Sequence, residues 1–182
     1  MIKQFNQTER SMVEMLGVLA IIGVLSTAGI AGYTKAMGKF KVNEATNQIS
    51  TIISNYNILM LNNTNKNELY DDSIVNQLVL PTEMLHDGQC YHALNGRCSV
   101  GHNHIATTDE FVIRFADLTK SLCIEMLTLP LTERAKRVVI SEDKGNNAVM
   151  GCWGGNETSG SVTISSATKL CHNKNNVICW CF

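Results

Sequence analysis

The sequence predicts an α+β fold: one long N-terminal helix packed on a C-terminal antiparallel β-sheet head, with disulfides stapling the head. Three observations carry this. Met15 to Thr34 is a run of twenty residues without a charge. The residues after it repeat their apolar positions at spacings of three and four. The second half of the chain holds several short strand-like runs and all seven cysteines. Short strands following one long helix are the pattern of an α+β domain.

The first element is the apolar run. A bilayer core takes roughly 20 apolar residues in a helix, and Met15–Thr34 has that length. Gly17, Gly23, Gly29 and Gly32 suit close approach of helices within a membrane. Glu14 sits at the lip of the run. A carboxylate beside hydrocarbon is costly and needs a partner or a purpose. Farther on, Ala45, Ile49, Ile52, Ile53, Tyr56, Leu59 and Met60 mark one face of an amphipathic helix. No proline interrupts from Arg10 to Leu61. One helix over that range is roughly 78 Å long at 1.5 Å per residue. Its first half, apolar all round, suits lipid or a bundle; its second half needs a domain to lie on.

A cleavable signal peptide is the alternative for the same stretch. Lys3 and Arg10 supply a basic region, Leu16–Leu25 an apolar core and Ser26-Thr27-Ala28 a small-residue cut. It yields a membrane-anchored or exported periplasmic binding domain. Glu9 and Glu14 oppose it, and the helical pattern runs past the cut.

Residues 63–182 form the head. The polar stretch NNTNKNE, 62–68, ends the long helix. Asp71–Leu80 reads as a short helix stopped by Pro81. Phe111–Phe115 alternates and reads as a strand. Thr119 caps a helix over Lys120–Leu127, closed by Pro130. Arg137–Ser141 is a strand, and Gly145–Gly160 a loop around Cys152 and Trp153. Ser161–Ser165 alternates apolar residues with hydroxyls and is predicted as a strand. Val177–Phe182 is the last one.

Cysteines beyond a membrane segment point to an oxidising compartment. Cys90 and Cys98 can close a local loop. Cys179 and Cys181, two apart on a strand, share a face and reach different partners more easily than each other. Cys152 can reach either, and an odd count leaves one thiol over. The cysteines place the head outside the cytoplasm. Lysine counting argues the reverse: Lys3 and Arg10 precede the run, while Lys35, Lys39 and Lys41 follow it. The cysteines, which need an oxidising compartment to bridge, outweigh the lysine count.

His86, Cys90, His92, Cys98, His102 and His104 are ligand types for zinc, but their spacing is not that of a finger. A Cys90–Cys98 bridge with surface histidines is the preferred reading, so no metal is expected. No cofactor signature is found: there is no phosphate-binding glycine loop and no HExxH motif. Cys152 lacks a local nucleophile motif, so no catalytic residue is assigned. A net charge of -1 leaves no electrostatic footprint for nucleic acid.

The leader, RSMVEMLGVLAIIGVLS and the long helix behind it resemble the N-terminus of type IV pilins and type II secretion pseudopilins. The resemblance implies a leader of residues 1–9, a helix over 10–62 with a transmembrane half at 15–34, and a head at 63–182. It implies cleavage between Glu9 and Arg10 by a prepilin peptidase, N-methylation of Arg10, and a role in assembly for Glu14 as the fifth mature residue. Glu14 then faces the free amine of a neighbouring subunit. Two positions depart from the family pattern. Glu9 stands where the peptidase expects glycine, and Gly29 and Gly32 flank the place of a mid-segment proline.

FVIRFADLTKSLCIEML and KLCHNKNNVICWCF resemble segments of type IVb pilins, which implies a bridge from Cys123 to Cys171. The function implied is structural: a subunit of a type IV pilus-like or type II secretion filament, not an enzyme. Implied partners are other pilin subunits, the peptidase, an inner-membrane platform protein and the membrane. The location implied is a single pass in the inner membrane with a periplasmic head, then an extracellular or periplasmic filament.

Overall fold

The computed structural model describes residues 5–62, 72–102, 110–143 and 155–182. The chain divides into two compact units, Met1–Phe40 and Lys41–Phe182. A single helix, α1 (Phe5–Asn62), contributes to both. The absence of proline allows a helix of this length.

In the second unit, α1 carries Val42, Ala45, Ile49 and Ile52, all at most 3% exposed. Ala45, Ile49 and Ile52 belong to the predicted stripe, Val42 extends it by one residue, and all four lie in the main core, with Ile53, Tyr56 and Leu59 packed against it. Asn55 Nδ2 donates to the Val79 carbonyl at 3.0 Å, and Gln48 Oε1 accepts from the Ala93 N–H at 2.9 Å, tying the helix to the head. After α2 (Asp72–Val79) and a 3-10 turn (Thr82–Met84) come β1 (Leu85–His86), β2 (Gln89–Tyr91), β3 (Arg97–His102) and β4 (Phe111–Leu118). Then follow α3 (Lys120–Leu127), α4 (Leu131–Arg134), β5 (Arg137–Glu142), β6 (Asn156–Thr158), α5 (Ile164–Leu170) and β7 (Asn176–Cys181).

The seven strands form one sheet in the order β1-β2-β3-β4-β7-β5-β6, with antiparallel neighbours throughout. The last strand in sequence is thus inserted between β4 and β5. All six residues of β7 are buried, as befits a central strand covered on both faces. Alternation divides its side chains. Ile178 and Trp180 join the main core with Phe111, Ile113, Phe115, Val138 and Ile140. Val177, Cys179 and Cys181 turn to the opposite face with Val112, Ala116 and Val139. Trp180 meets Phe115 edge-on, with centroids 5.7 Å apart. The β4–β7 register shifts between Phe115 and Leu118, where Asp117 takes a positive φ of 59°.

Three expectations are corrected. Ser161–Ser165 is not a strand: Thr163 is an N-cap whose side chain accepts from the Ser166 N–H, and α5 starts at Ile164. Its hydroxyls serve a helix start, where they satisfy donors the helix leaves open. The histidine-rich stretch is not a simple loop, since it holds β1, β2 and β3. Its histidines are not all on the surface either: His92 and His102 are only 3% and 6% exposed. The glycine-asparagine loop also gives way to β6 over Asn156–Thr158. The helix-ending loop from residue 63 onward, His104, Cys152 and Trp153 lie outside the described residues.

Candidate assembly segment and head clamps

In the first unit, the described side chains of α1 from Met12 onward are exposed, with only Met37 intermediate. Met12, Val13, Met15, Leu16, Ile21, Val24 and Leu25 are each more than 60% exposed. An 18-residue window here has mean hydropathy 2.1, and the helix is long and apolar enough to cross a membrane. Its hydroxyls are turned inward on the backbone. Ser26 donates to Ile22 at 2.7 Å, Thr27 to Val24 at 2.9 Å and Thr34 to Ala31 at 3.0 Å. Such bonds satisfy these three hydroxyl donors within the helix, a condition for an apolar surrounding. A methyl placed on Gly17, Gly23, Gly29 or Gly32 would meet nothing within 4 Å. The smallness of these residues is therefore unused within the chain.

Glu14 is exposed on this surface. Glu9 and Arg10 lie within α1, but their side chains are outside what the structure describes.

The head carries two covalent clamps. Cys90 and Cys98 are bonded across the β2–β3 pair, where they are register partners. Cys123 of α3 is bonded to Cys171, just after α5 and 48 residues away. That bridge ties the two helices beside the start of β7. Cys179 carries a free thiol and is 1% exposed; Cys181 is fully buried on the same face. Their pairing with Cys152 falls on a residue outside the described ones.

Polar ties that the sequence reading missed hold the same region. Asn176, fully buried, donates through Nδ2 to the carbonyls of Leu118 (3.0 Å) and His172 (2.9 Å) and accepts from the His172 N–H at 2.6 Å. One side chain thus closes the turn before β7 and joins β7 to the end of β4. His92 Nε2 lies 2.9 Å from the Ala116 carbonyl, and Nδ1 accepts from the Leu94 N–H at 3.2 Å. Both contacts are satisfied by one tautomer, the neutral ring with its proton on Nε2. The ring stacks on Phe115 at 4.4 Å. Burial pushes its pKa below the ordinary 6.5, more than the Ala116 bond and Asp117 raise it. Gly96 is required here: a Cβ would collide with the Ala116 carbonyl and the His92 ring.

His102 bonds through Nε2 to the Tyr56 hydroxyl of α1 at 2.8 Å, and Tyr56 stacks on Phe111 at 3.8 Å. The six zinc-type side chains therefore serve other ends where they are described. Among the described residues no group of three His, Cys, Asp or Glu could hold a metal ion.

Charges on the sheet are paired. Arg97 reaches Asp117 at 2.9 Å and Asp143 at 2.6 Å; Arg137 reaches Glu110 and Glu157, each at 2.9 Å. The Arg97 hydrogen bond is the main force holding the Asp117 carboxyl below its usual range. Hydrogen bonding to Asp117 and to Glu110 raises the pKa of Arg97 and Arg137 respectively. The sequence signal for these pairs was absent, since their partners lie 20 to 46 residues apart.

Comparison with known proteins agrees with this architecture. No curated protein matches the chain. A type IVb pilin from Salmonella typhi, known from its crystal structure, shares the fold with a TM-score of 0.51 at 17% identity. The match covers 76% of this chain and 96% of that one. A family model described as PilS N terminal matches residues 39–182, from the end of the exposed helix half through the whole head. The chain belongs to this PilS family of type IV pilins, with a head like those of type IVb pilins, and it is a structural pilus subunit rather than an enzyme.

Proposed function

We propose that this pilin waits in the inner membrane by residues 15–34, with its head in the periplasm, and enters a filament by packing that segment against those of its neighbours. The observation that carries this reading is the apolar surface of Met12–Tyr33, whose described side chains are exposed all round. An apolar helix of this kind needs lipid or other helices to cover it. Close helix packing gives the four glycines a use. Processing precedes assembly: a prepilin peptidase cuts between Glu9 and Arg10, and the new amine of Arg10 is methylated. Glu14 then pairs with the amine of a neighbouring subunit and sets the register. A carboxylate in such a bundle is tolerable only when paired. An inner-membrane platform protein drives extrusion, and the filament is a type IV pilus extending outside the cell rather than a type II secretion pseudopilus.

The rival reading, an exported binding domain cut after Ala28, is opposed by the course of α1, which runs through Ser26–Ala28 without interruption.

The test is the mass of the mature N-terminus after expression with a prepilin peptidase. A chain starting at N-methylated Arg10 is the expected result. A chain starting at Gly29 would refute the filament reading. An intact leader would refute the cleavage site and identify Glu9 as the block.

A further inference from the structure

The charges resume where the apolar half of α1 ends. Lys35 directly follows the uncharged run and Lys39 stands one helical turn later, and both are exposed. Neither has an ion-pair partner among the described residues. At about 100° per residue they lie within about 40° of each other, on one side of the helix. Tyr33 and Phe40, 65% and 60% exposed, lie on the other side, about 140–160° from Lys35. Residues 33–40 occupy about 10 Å along the axis. The headgroup layer on one side of a bilayer is about 5–8 Å thick. Aromatic rings are enriched at that level, and lysine stems lie along apolar surface with the ammonium turned to the polar side.

The lysines are also on the side where orientation rules disfavour them, once the cysteines put the head outside the cytoplasm. Their position therefore asks for a ligand that holds them there. We propose that Lys35 and Lys39 form a binding site for the phosphate of anionic phospholipid headgroups in the leaflet nearest the head. Tyr33 and Phe40 seat the opposite side of the helix at the same depth. The site fixes the depth of the subunit while it waits in the membrane. This rests on the membrane-anchored reading above.

The test uses the full chain in vesicles of phosphatidylglycerol and phosphatidylcholine. Spin-labelled lipids of each kind report, by electron paramagnetic resonance, the fraction held at the protein surface. A lysine near an anionic surface contributes up to about fivefold. Phosphatidylglycerol is expected to be preferred about threefold or more, and the preference to fall toward unity in K35Q/K39Q and to persist in K35R/K39R. Head melting is expected to be unchanged in both variants. If neither lipid is held at the protein surface, the segment is not in the bilayer, and the anchored reading falls together with the site. Lipid held without preference, or a preference surviving K35Q/K39Q, overturns the headgroup site alone. Lost filaments with an unaltered lipid preference would assign the lysines to a carboxylate of a neighbouring subunit instead, and the proposal would be wrong.

Discussion

Residues 12–40 and 41–62 belong to one helix, yet they meet opposite demands. In the later part, apolar residues repeat on one face, and Ala45, Ile49 and Ile52 are fully buried in the head. In the earlier part, apolar residues cover every face, and the large ones from Met12 to Tyr33 are more than half exposed, Met37 alone being intermediate. The backbone hydrogen bonding is the same in both. The difference lies in where the partner comes from: the same chain for one part and, in the proposed reading, other molecules for the other. Substitutions should therefore separate into two classes, those that change head stability and those that change assembly.

The largest expected effect is on assembly alone. Glu14→Ala would remove one member of the proposed pair between subunits, and such a loss from a buried site costs about 3–5 kcal/mol. Filament yield, measured by shearing and sedimentation, should drop more than about a hundredfold, while the head melts as before. A fall in melting temperature would break the division between the two parts.

Next come the clamps, which act on the head. By loop-closure entropy, the Cys123–Cys171 bridge contributes about 4 kcal/mol and the Cys90–Cys98 bridge about 2.5 kcal/mol. Denaturant unfolding of the two double-serine variants should rank them in that order. Equal losses would mean that the unfolded chain is already restricted near Cys123.

Smaller still, Ile49→Val should cost about 1 kcal/mol of head stability. The same change at Ile22 should leave unfolding unaltered in detergent. Equal effects would mean that the two parts of the helix are not distinct in their partners.

The smallest effect is a pH dependence. His92 is neutral in the folded head, and its pKa is lowered by burial. The unfolded chain takes up the proton more readily, so stability rises with pH in this range. The contribution is complete above about pH 6.5 and declines as pH falls below that value. Melting should therefore be lower at pH 5 than at pH 7.5, and His92→Gln should flatten part of that slope. An unchanged slope would remove His92 as a source.

Periodic segments were the legible ones. Ala45, Ile49 and Ile52 could be read because a helix face repeats over several turns. Thr119 could be read as a cap, and its side chain does accept from the Leu122 N–H. Ser161–Ser165 misled because Val162 and Ile164 alternate like a strand, although Val162 is buried and Ile164 is 69% exposed. Cap chemistry at Thr163 outweighed a short alternation. Strand β3 was hidden by its composition, since Cys98, Val100 and His102 do not announce a strand face. A hydrogen-bonded histidine can fill a core position, and only the neighbours Tyr56 of His102 and Ala116 of His92 reveal that. Nor could spacing alone single out the Cys123–Cys171 bridge; the family resemblance supplied that pairing, because many loops among seven cysteines are of feasible length. The exposed helix half was legible as apolar but silent about its partner, since none of its described side chains is buried in the chain itself.

The place of β7 has a consequence for timing. Residues 176–181 stand between β4 and β5, so the two halves of the sheet cannot join until every earlier strand has emerged. Pairings so distant in sequence are slow to form. A head delivered across a membrane N-terminus first must therefore remain open until its closing strand arrives. Cys123 likewise waits 48 residues for Cys171. Until then, the strand edges of β4 and β5 are available to other chains. In the proposed topology, export and folding of this head are consecutive events, and the interval between them is its period of greatest exposure to proteases and to aggregation.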